Sequence, residues 1–225
     1  MRPDEARATA LSDAARLRAA CDANGTGAPD REQRQLLARG LAQLGDGTAG
    51  LACLQQQSPA AGTALAIGRA LLAGGREQRS EGEQLLLDLT RRFPMDSASD
   101  EAARLLSEPL RPDPDLLDAL PEILQKRSAA VAAARVRLAA GRGGAQVLTR
   151  WPDDPASWQL QWDLARDAFL GGQWDQALSV LKTIPGNKLP DPLAARQQFW
   201  IGFSLAKLGK QEQAERVWEA LIKAY

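Results

Sequence analysis

The sequence predicts an all-α chain, a right-handed α-solenoid of about six helical hairpins. Three observations carry that expectation. Apolar residues recur at the helical period, and no segment alternates as a strand would. At the chain's end Ala214, Val217, Trp218, Leu221, Ile222 and Tyr225 stand at offsets 0, 3, 4, 7, 8 and 11, one face of a 3.6-residue helix over three turns. Leu, Ala, Gln, Arg and Glu dominate while Val, Ile, Thr and Tyr are scarce, which is a helix-former's composition. Glycine turns at Gly45, Gly75, Gly141, Gly172 and Gly209 separate the periodic segments irregularly, three intervals falling at the roughly 30–40-residue period of helical repeats and the one from Gly75 to Gly141 leaving room for two units. Paired helices that each leave an apolar face for the next pair are the unit of a solenoid.

The elements follow in order. Residues 6–20 read as a helix and 24–29 as a loop, so that 1–28 form an N-terminal helix with a flexible connection. Segments 31–44 and 49–57 make the first hairpin, and 63–72 with 77–93 the second, closed by Pro94. A third begins at 97–107, with Ser97 as N-cap and Glu101 in the first turn. Pro109, Pro112 and Pro114 break the chain, and helix resumes over 116–126 with an interruption at Pro121. Segments 128–140 and 145–150 complete an irregular arm over 29–150. The run Trp151, Pro152, Asp153, Asp154, Pro155 marks a change of composition. All six Trp lie at or beyond it, in an aromatic-rich part over 151–225 built from hairpins 157–170/174–184 and 197–208/211–225, joined by a proline-fixed connection over 185–192.

Composition excludes several functions. Lys+Arg and Asp+Glu balance at 28 each, so no global field favours nucleic acid or an acidic membrane. The absence of His removes His-based triads, most catalytic zinc sites and the usual pH switch; no metal or other cofactor is expected. Cys21 and Cys53 stand alone without a CxxC and read as two small, semi-buried residues rather than a disulfide. No apolar run approaches the ~18–20 residues of a membrane span. The first twenty residues are charged, with no apolar core of a signal peptide, so the chain taken literally is cytoplasmic.

The last hairpin resembles a tetratricopeptide repeat (TPR), which sets a small residue at the helix crossing, an Ala twelve positions on, and bulky residues four and seven beyond that. Here these are Gly202, Ala214, Trp218 and Leu221, and in the preceding hairpin Ala165, Ala177, Leu181 and Ile184. Looser fits are Ala38, Gly50 and Leu54, then Gly68 and Gly82, which stand two residues too far apart, with Leu86, Leu89 and Pro94. Residues 189–202, with Leu189, Pro190, Ala195, Arg196, Phe199, Trp200 and Gly202, lead on to Lys207, Leu208, Gly209, Lys210 and Trp218. This stretch resembles the superhelical region of soluble lytic murein transglycosylases, particularly cyanobacterial-type members. The likeness covers about 150–225.

That resemblance implies a non-catalytic helical arm that positions peptidoglycan for a separate C-terminal lysozyme-like domain, in the periplasm. The family's catalytic acid is a Glu followed by Ser. No Glu here is followed by Ser, so no residue carries over as catalytic, and enzyme activity would belong to the parent family's missing domain. The rival reading is a cytoplasmic TPR-type adaptor holding a peptide or protein in its concave groove.

The Trp residues could stack on sugars, but their helical spacing favours interhelical wedges. Trp158, Trp162, Ala165 and Phe169 stand at offsets 0, 4, 7 and 11. Trp162, Trp174, Trp200 and Trp218 are therefore expected in the core, each contributing roughly 1.5–3 kcal/mol. Trp151 and Trp158, beside prolines at a corner, are the candidates for a binding surface. Asp153 with Asp154, and Asp163 with Asp167, imitate carboxylate pairs but read as solvated surface. Arg91, Arg92, Arg135 and Arg137 suit helix ends, and the Gly141 to Gly144 run lacks the Lys and Ser/Thr of a phosphate loop. The apolar stripe ending in Tyr225 has no capping helix after it, so the expectation is that Tyr225 is not a natural domain end and that this edge self-associates or frays.

Overall fold

Fourteen α-helices and no strand make up the regular structure in a computed structural model that describes residues 3–23, 27–108 and 112–224, with 3–8 as backbone alone. Tyr225, Pro109 and the loop centre at 24–26 lie outside the described residues. The chain divides into two compact units, Met1–Ser128 and Ala129–Tyr225. Composition changes at Trp151, but packing changes at Ser128, because helices N-terminal to the Trp-Pro step pack on the helix that follows it.

The first unit holds α1 (Pro3–Cys21), α2 (Arg31–Gln43), α3 (Gly47–Cys53), α4 (Ala61–Leu72), α5 (Arg76–Arg92), α6 (Ser97–Ser107), α7 (Pro114–Ala119) and α8 (Glu122–Arg127). Aspartates start several of them by accepting a backbone N–H, which satisfies one of the orphan donors of a helix's first turn. Asp30 does so from Gln33 at 2.8 Å in a full capping box, and Asp46 from Ala49 at 3.0 Å. Asp96 caps α6 by accepting from Ala98. Ser97, expected as that cap, is instead the first helical residue, and the acid of the first turn is Asp100, not Glu101. Pro114 opens α7 rather than breaking the chain, since a first-turn proline lacks only an N–H that would go unused.

Hairpins form where the turns were expected, and the backbones touch at small residues. A Cβ added to Gly50 would lie 2.7 Å from the Ala38 carbonyl oxygen, and one added to Gly82 would lie 3.0 Å from that of Gly68. The Gly68–Gly82 pair therefore meets at the α4–α5 crossing although its spacing is two residues too long for the repeat. Around the first crossing Ala38, Leu41, Leu54, Ile67 and Leu71 form a buried cluster, each Leu or Ile contributing roughly 1.5–3 kcal/mol.

Cys21 and Cys53 correct an expectation. They are disulfide-bonded, with Cα atoms 5.3 Å apart, and both side chains belong to that buried cluster. The bond ties the end of α1 to the end of α3, two helix ends that the first hairpin brings together and that local sequence leaves 32 residues apart.

The second unit holds α9 (Ala129–Leu138), α10 (Gly144–Arg150), α11 (Pro155–Leu170), α12 (Trp174–Leu181), α13 (Asp191–Lys207) and α14 (Gln211–Ala224). Asp154 caps α11, with Pro155 in its first turn. Helix α13 starts six residues earlier than its apolar pattern, with Pro192 in its first turn, and Gly186–Lys188 makes a 3-10 turn. Much of the expected proline-fixed connection is therefore ordered as helix. Gly172 (φ 70°) and Gly209 (φ 74°) close the two hairpins in the left-handed region, which glycine enters without steric cost.

Ala165, Ala177 and Ala214 are fully buried, Leu181 nearly so, and Gly202 is buried. The three atoms nearest a Cβ placed on Gly202 all belong to Trp218, its Cδ1 at 2.7 Å. Trp218 itself, with Leu221, is only half-buried.

A second device recurs in both units. Buried polar side chains on the first helix of a hairpin reach the last carbonyls of neighbouring helices, groups that have no partner within their own helix. Arg34 on α2 donates to the Cys21 and Cys53 carbonyls at 3.2 and 3.3 Å. Gln161 on α11 donates to Val180 and Leu181, and Gln197 on α13 to Leu181 at 2.6 Å and Ile184 at 2.8 Å. Arg34 and Gln161 each stand four residues before a fully buried alanine, Ala38 and Ala165.

Candidate functional site

On α11 the buried face is Ser157, Leu160, Gln161, Ala165 and Ala168. Trp158 and Trp162 each follow a buried residue by one position, about 100° further round the helix. On α13 Ile201, Gly202, Ser204 and Leu205 are buried, and Phe199, Trp200 and Phe203 flank them. The expectation that Trp162, Trp174, Trp200 and Trp218 form the core is therefore corrected: all six Trp are half-buried. Alanine, leucine and glutamine fill the interior, and the indoles pack at its margin, Trp218 against Gly202.

The rings gather into one face over α11, α12 and α13. Trp200 lies centrally, with ring centroids 4.8 Å from Phe169, 5.3 Å from Phe203, 5.6 Å from Phe199 and 5.7 Å from Trp162. Trp174 joins Phe169 at 6.0 Å and Phe203 at 5.8 Å. Interplanar angles run from 31° to 90°, the tilted and edge-to-face arrangements that the ring quadrupole favours.

Two cations sit on these rings. The Arg196 guanidinium lies 4.3 Å above the Trp162 ring, and the Lys207 ammonium 5.4 Å from Phe203 and 5.8 Å from Trp174, within cation–π range. Arg196, Phe199, Trp200, Phe203 and Lys207 follow offsets 0, 3, 4, 7 and 11 along α13, a single stripe with a cation at each end. Phe199 remains 46% exposed.

Trp151 and Trp158, the candidates for a binding surface, pack on a second cluster, although Trp158 also lines a small cleft with Trp162 and Arg196 of the aromatic face. Both are half-buried against Ala133, Val136, Val147, Leu148, Leu160 and Ile184. Trp151 lies under the Arg150 guanidinium at 4.4 Å, and Trp158 Nε1 donates to the Pro152 carbonyl at 2.9 Å.

The acidic residues are engaged with cations. Asp153 pairs with Lys188 at 3.1 Å, Asp163 with Arg137 at 3.0 Å, and Asp167 lies 3.7 Å from Arg166. Glu101 is held below the usual carboxylate range, chiefly by the hydrogen bond from Arg104. Asp46 is lowered as well: burial opposes this most strongly but is outweighed by Arg18 and the Ala49 N–H together. Glu122 is lowered by Lys126. Each resolved shift thus runs opposite to that of a general acid, whose carboxyl must be raised. Among the described residues no three of His, Cys, Asp and Glu gather as a metal-ligand set, and no helix is long and apolar enough to cross a membrane. Arg92 pairs with Asp88 at 3.2 Å, and residues 141–143 form a turn leading into α10 at Gly144.

Sequence reasoning missed the aromatic face, although the α13 stripe of Arg, aromatics and Lys at helical spacing was a usable signal. It also missed Gln161 and Gln197, for which no sequence signal exists. No protein-family model matches the chain, and no curated protein or solved structure matches it.

Proposed function

We propose that this chain is a non-catalytic scaffold, its hairpins stacked as a right-handed TPR-like solenoid, which holds a protein or peptide partner on the aromatic face of α11–α13. The observation that carries the reading is the exposure of that face. Contiguous, partly exposed aromatic surface on a folded chain marks a contact site, and Trp, Phe and Arg are the side chains that anchor interfaces. The disulfide supports a working place in an oxidising compartment, since such bonds persist there and are rare in the cytosol.

That same disulfide favours a second reading, the one implied by the transglycosylase resemblance. There the chain is a periplasmic arm that positions peptidoglycan for a separate lysozyme-like catalytic domain.

A photo-cross-linking residue in place of Phe199, introduced into the cell of origin, is expected to trap a discrete adduct. The same residue in place of Leu11, which is 66% exposed on the other unit, is expected to trap none. Equal labelling at both positions, or none at Phe199, refutes the scaffold's use of this face. Retention of the chain on purified peptidoglycan sacculi, lost in Phe199→Ala, would assign the face to the cell wall instead.

A further inference from the structure

We propose that the aromatic face takes an acidic polypeptide segment carrying apolar side chains between its carboxylates; this rests on the reading of that face as a contact surface and adds the chemistry of its occupant. Arg196 and Lys207 are the basis. Each sits on a ring, and neither has a carboxylate within ion-pair reach among the described residues. Asp163 is paired with Arg137 and approached by Arg166, which also flanks Asp167; Asp175, next to Trp174, and Asp191, five residues before Arg196, are exposed and pair with neither cation among the described residues. The α13 stripe therefore presents two cations without an ion-pair partner on a chain whose net charge is zero, and an acidic occupant would supply the complementary charge.

Spacing narrows the choice. The two cations are eleven residues apart on one helix face, about 16 Å at the α-helical rise. Phe199, Trp200 and Phe203 lie between them. An occupant that satisfies both ends carries carboxylates separated by about that distance, with apolar side chains to set against the ring edges. Ring geometry argues against a stacked sugar. A pyranose needs a free, flat indole face, whereas Arg196 covers Trp162, Lys207 lies beside Trp174, and the rings are inclined to one another by 31–90°.

The test uses the full chain and a fluorescein-labelled peptide of about twelve residues, long enough to span about 16 Å even as a helix, with Asp-Glu at each end and a central Leu-Phe-Leu flanked by neutral residues. Anisotropy should report saturable binding that weakens with salt. Binding should fall by at least about fivefold in Arg196→Gln/Lys207→Gln, as expected for two partly exposed charge pairs. Lys207→Gln alone, at an exposed position, should give about a twofold loss, which keeps the test decisive if the double variant fails to fold. The same peptide with Lys at its ends should not bind.

No binding of the acidic probe overturns the inference, and so does equal binding of the basic peptide or indifference to Lys207→Gln and to salt. Binding of an N-acetylglucosamine oligomer that Phe199→Ala abolishes and Lys207→Gln leaves intact overturns it in favour of a glycan. In all these cases the Phe199 cross-link stands or falls separately, so failure of the acidic-segment inference is distinguishable from failure of the contact-surface reading.

Discussion

Replacing both Cys21 and Cys53 by alanine removes a cross-link between residues 32 apart in sequence. On the chain-entropy account, closing a loop of that length restricts the unfolded chain by about 3.7 kcal/mol at 25 °C. Both side chains are buried, so losing the sulfur atoms adds a small packing loss of the same sign. Little else anchors α1. Leu17 packs on the cluster, Arg34 holds the Cys21 carbonyl, and the Arg18–Asp46 pair is substantially exposed, so that pair contributes at most about 1 kcal/mol. Urea unfolding should be followed by two probes. Circular dichroism reports both units, whereas Trp fluorescence reports only the second, because every Trp lies beyond residue 150. The dichroism midpoint of the first unit should fall by about 1–2 M, given denaturant slopes of roughly 2–3 kcal/mol/M, and the fluorescence midpoint should stay. Reduced wild-type protein should behave like the double variant. Two titratable thiols in the unreduced, unfolded protein would refute the disulfide, and a loss under about 1 kcal/mol would refute the loop argument. Joint movement of both midpoints would refute independent unfolding of the units.

Further outcomes follow from the packing. Gly202→Ala sets a methyl group into the Trp218 ring and should destabilise the second unit by about 1–3 kcal/mol; Ala214→Arg, at a fully buried position, should cost about 2–5 kcal/mol. Lys210→Ala, on the surface, should change the fluorescence midpoint hardly at all, and equal effects of these three would show the hairpin register to be wrong. Gln197→Leu removes the buried donor of the Ile184 carbonyl and one of the two on the Leu181 carbonyl and should cost about 1–3 kcal/mol, against almost nothing for Gln198→Leu; parity between the two would refute the capping role. Because the folded-state values of Asp46 and Glu101 are lowered, their ion pairs stabilise the fold above the ordinary carboxylate values of 3.8 and 4.5 and lose that contribution as pH falls through the lowered ones. The stability gap between wild type and Asp46→Asn, or Glu101→Gln, should thus be present at pH 7 and shrink progressively below about pH 4. A gap that widens on acidification would reverse the sign of the argument.

Helix placement was legible because its signals are local. The glycines at 45, 172 and 209 close turns where the periodic runs stop, and the small residues at 38, 50, 68 and 82 mark helix crossings. Where the reading slipped, a local rule was misapplied. Pro114, Pro155 and Pro192 were taken as breaks or borders, yet each sits in a first helical turn, where proline's missing N–H has no cost. Asp113 and Asp154, each directly before a proline, were the caps that should have given those starts away.

By itself the sequence determined that this chain is helical, roughly where each helix turns, and which small residues let helices touch, since period, turn chemistry and crossing size act over a few residues. Tertiary structure alone decided the rest. Cys21 meets Cys53 only once α1 folds back on the first hairpin, a closure with no trace in the intervening residues. Gln161 and Gln197 find their acceptors on a neighbouring helix, so their role depends on where α12 ends. The aromatic stripes were visible, but a stripe fixes only that residues share a face. Whether that face meets a helix or solvent depends on where the neighbouring helices lie: Trp218 is set against Gly202 of α13, whereas the rings over α11–α13 stay partly exposed with Arg196 and Lys207 upon them.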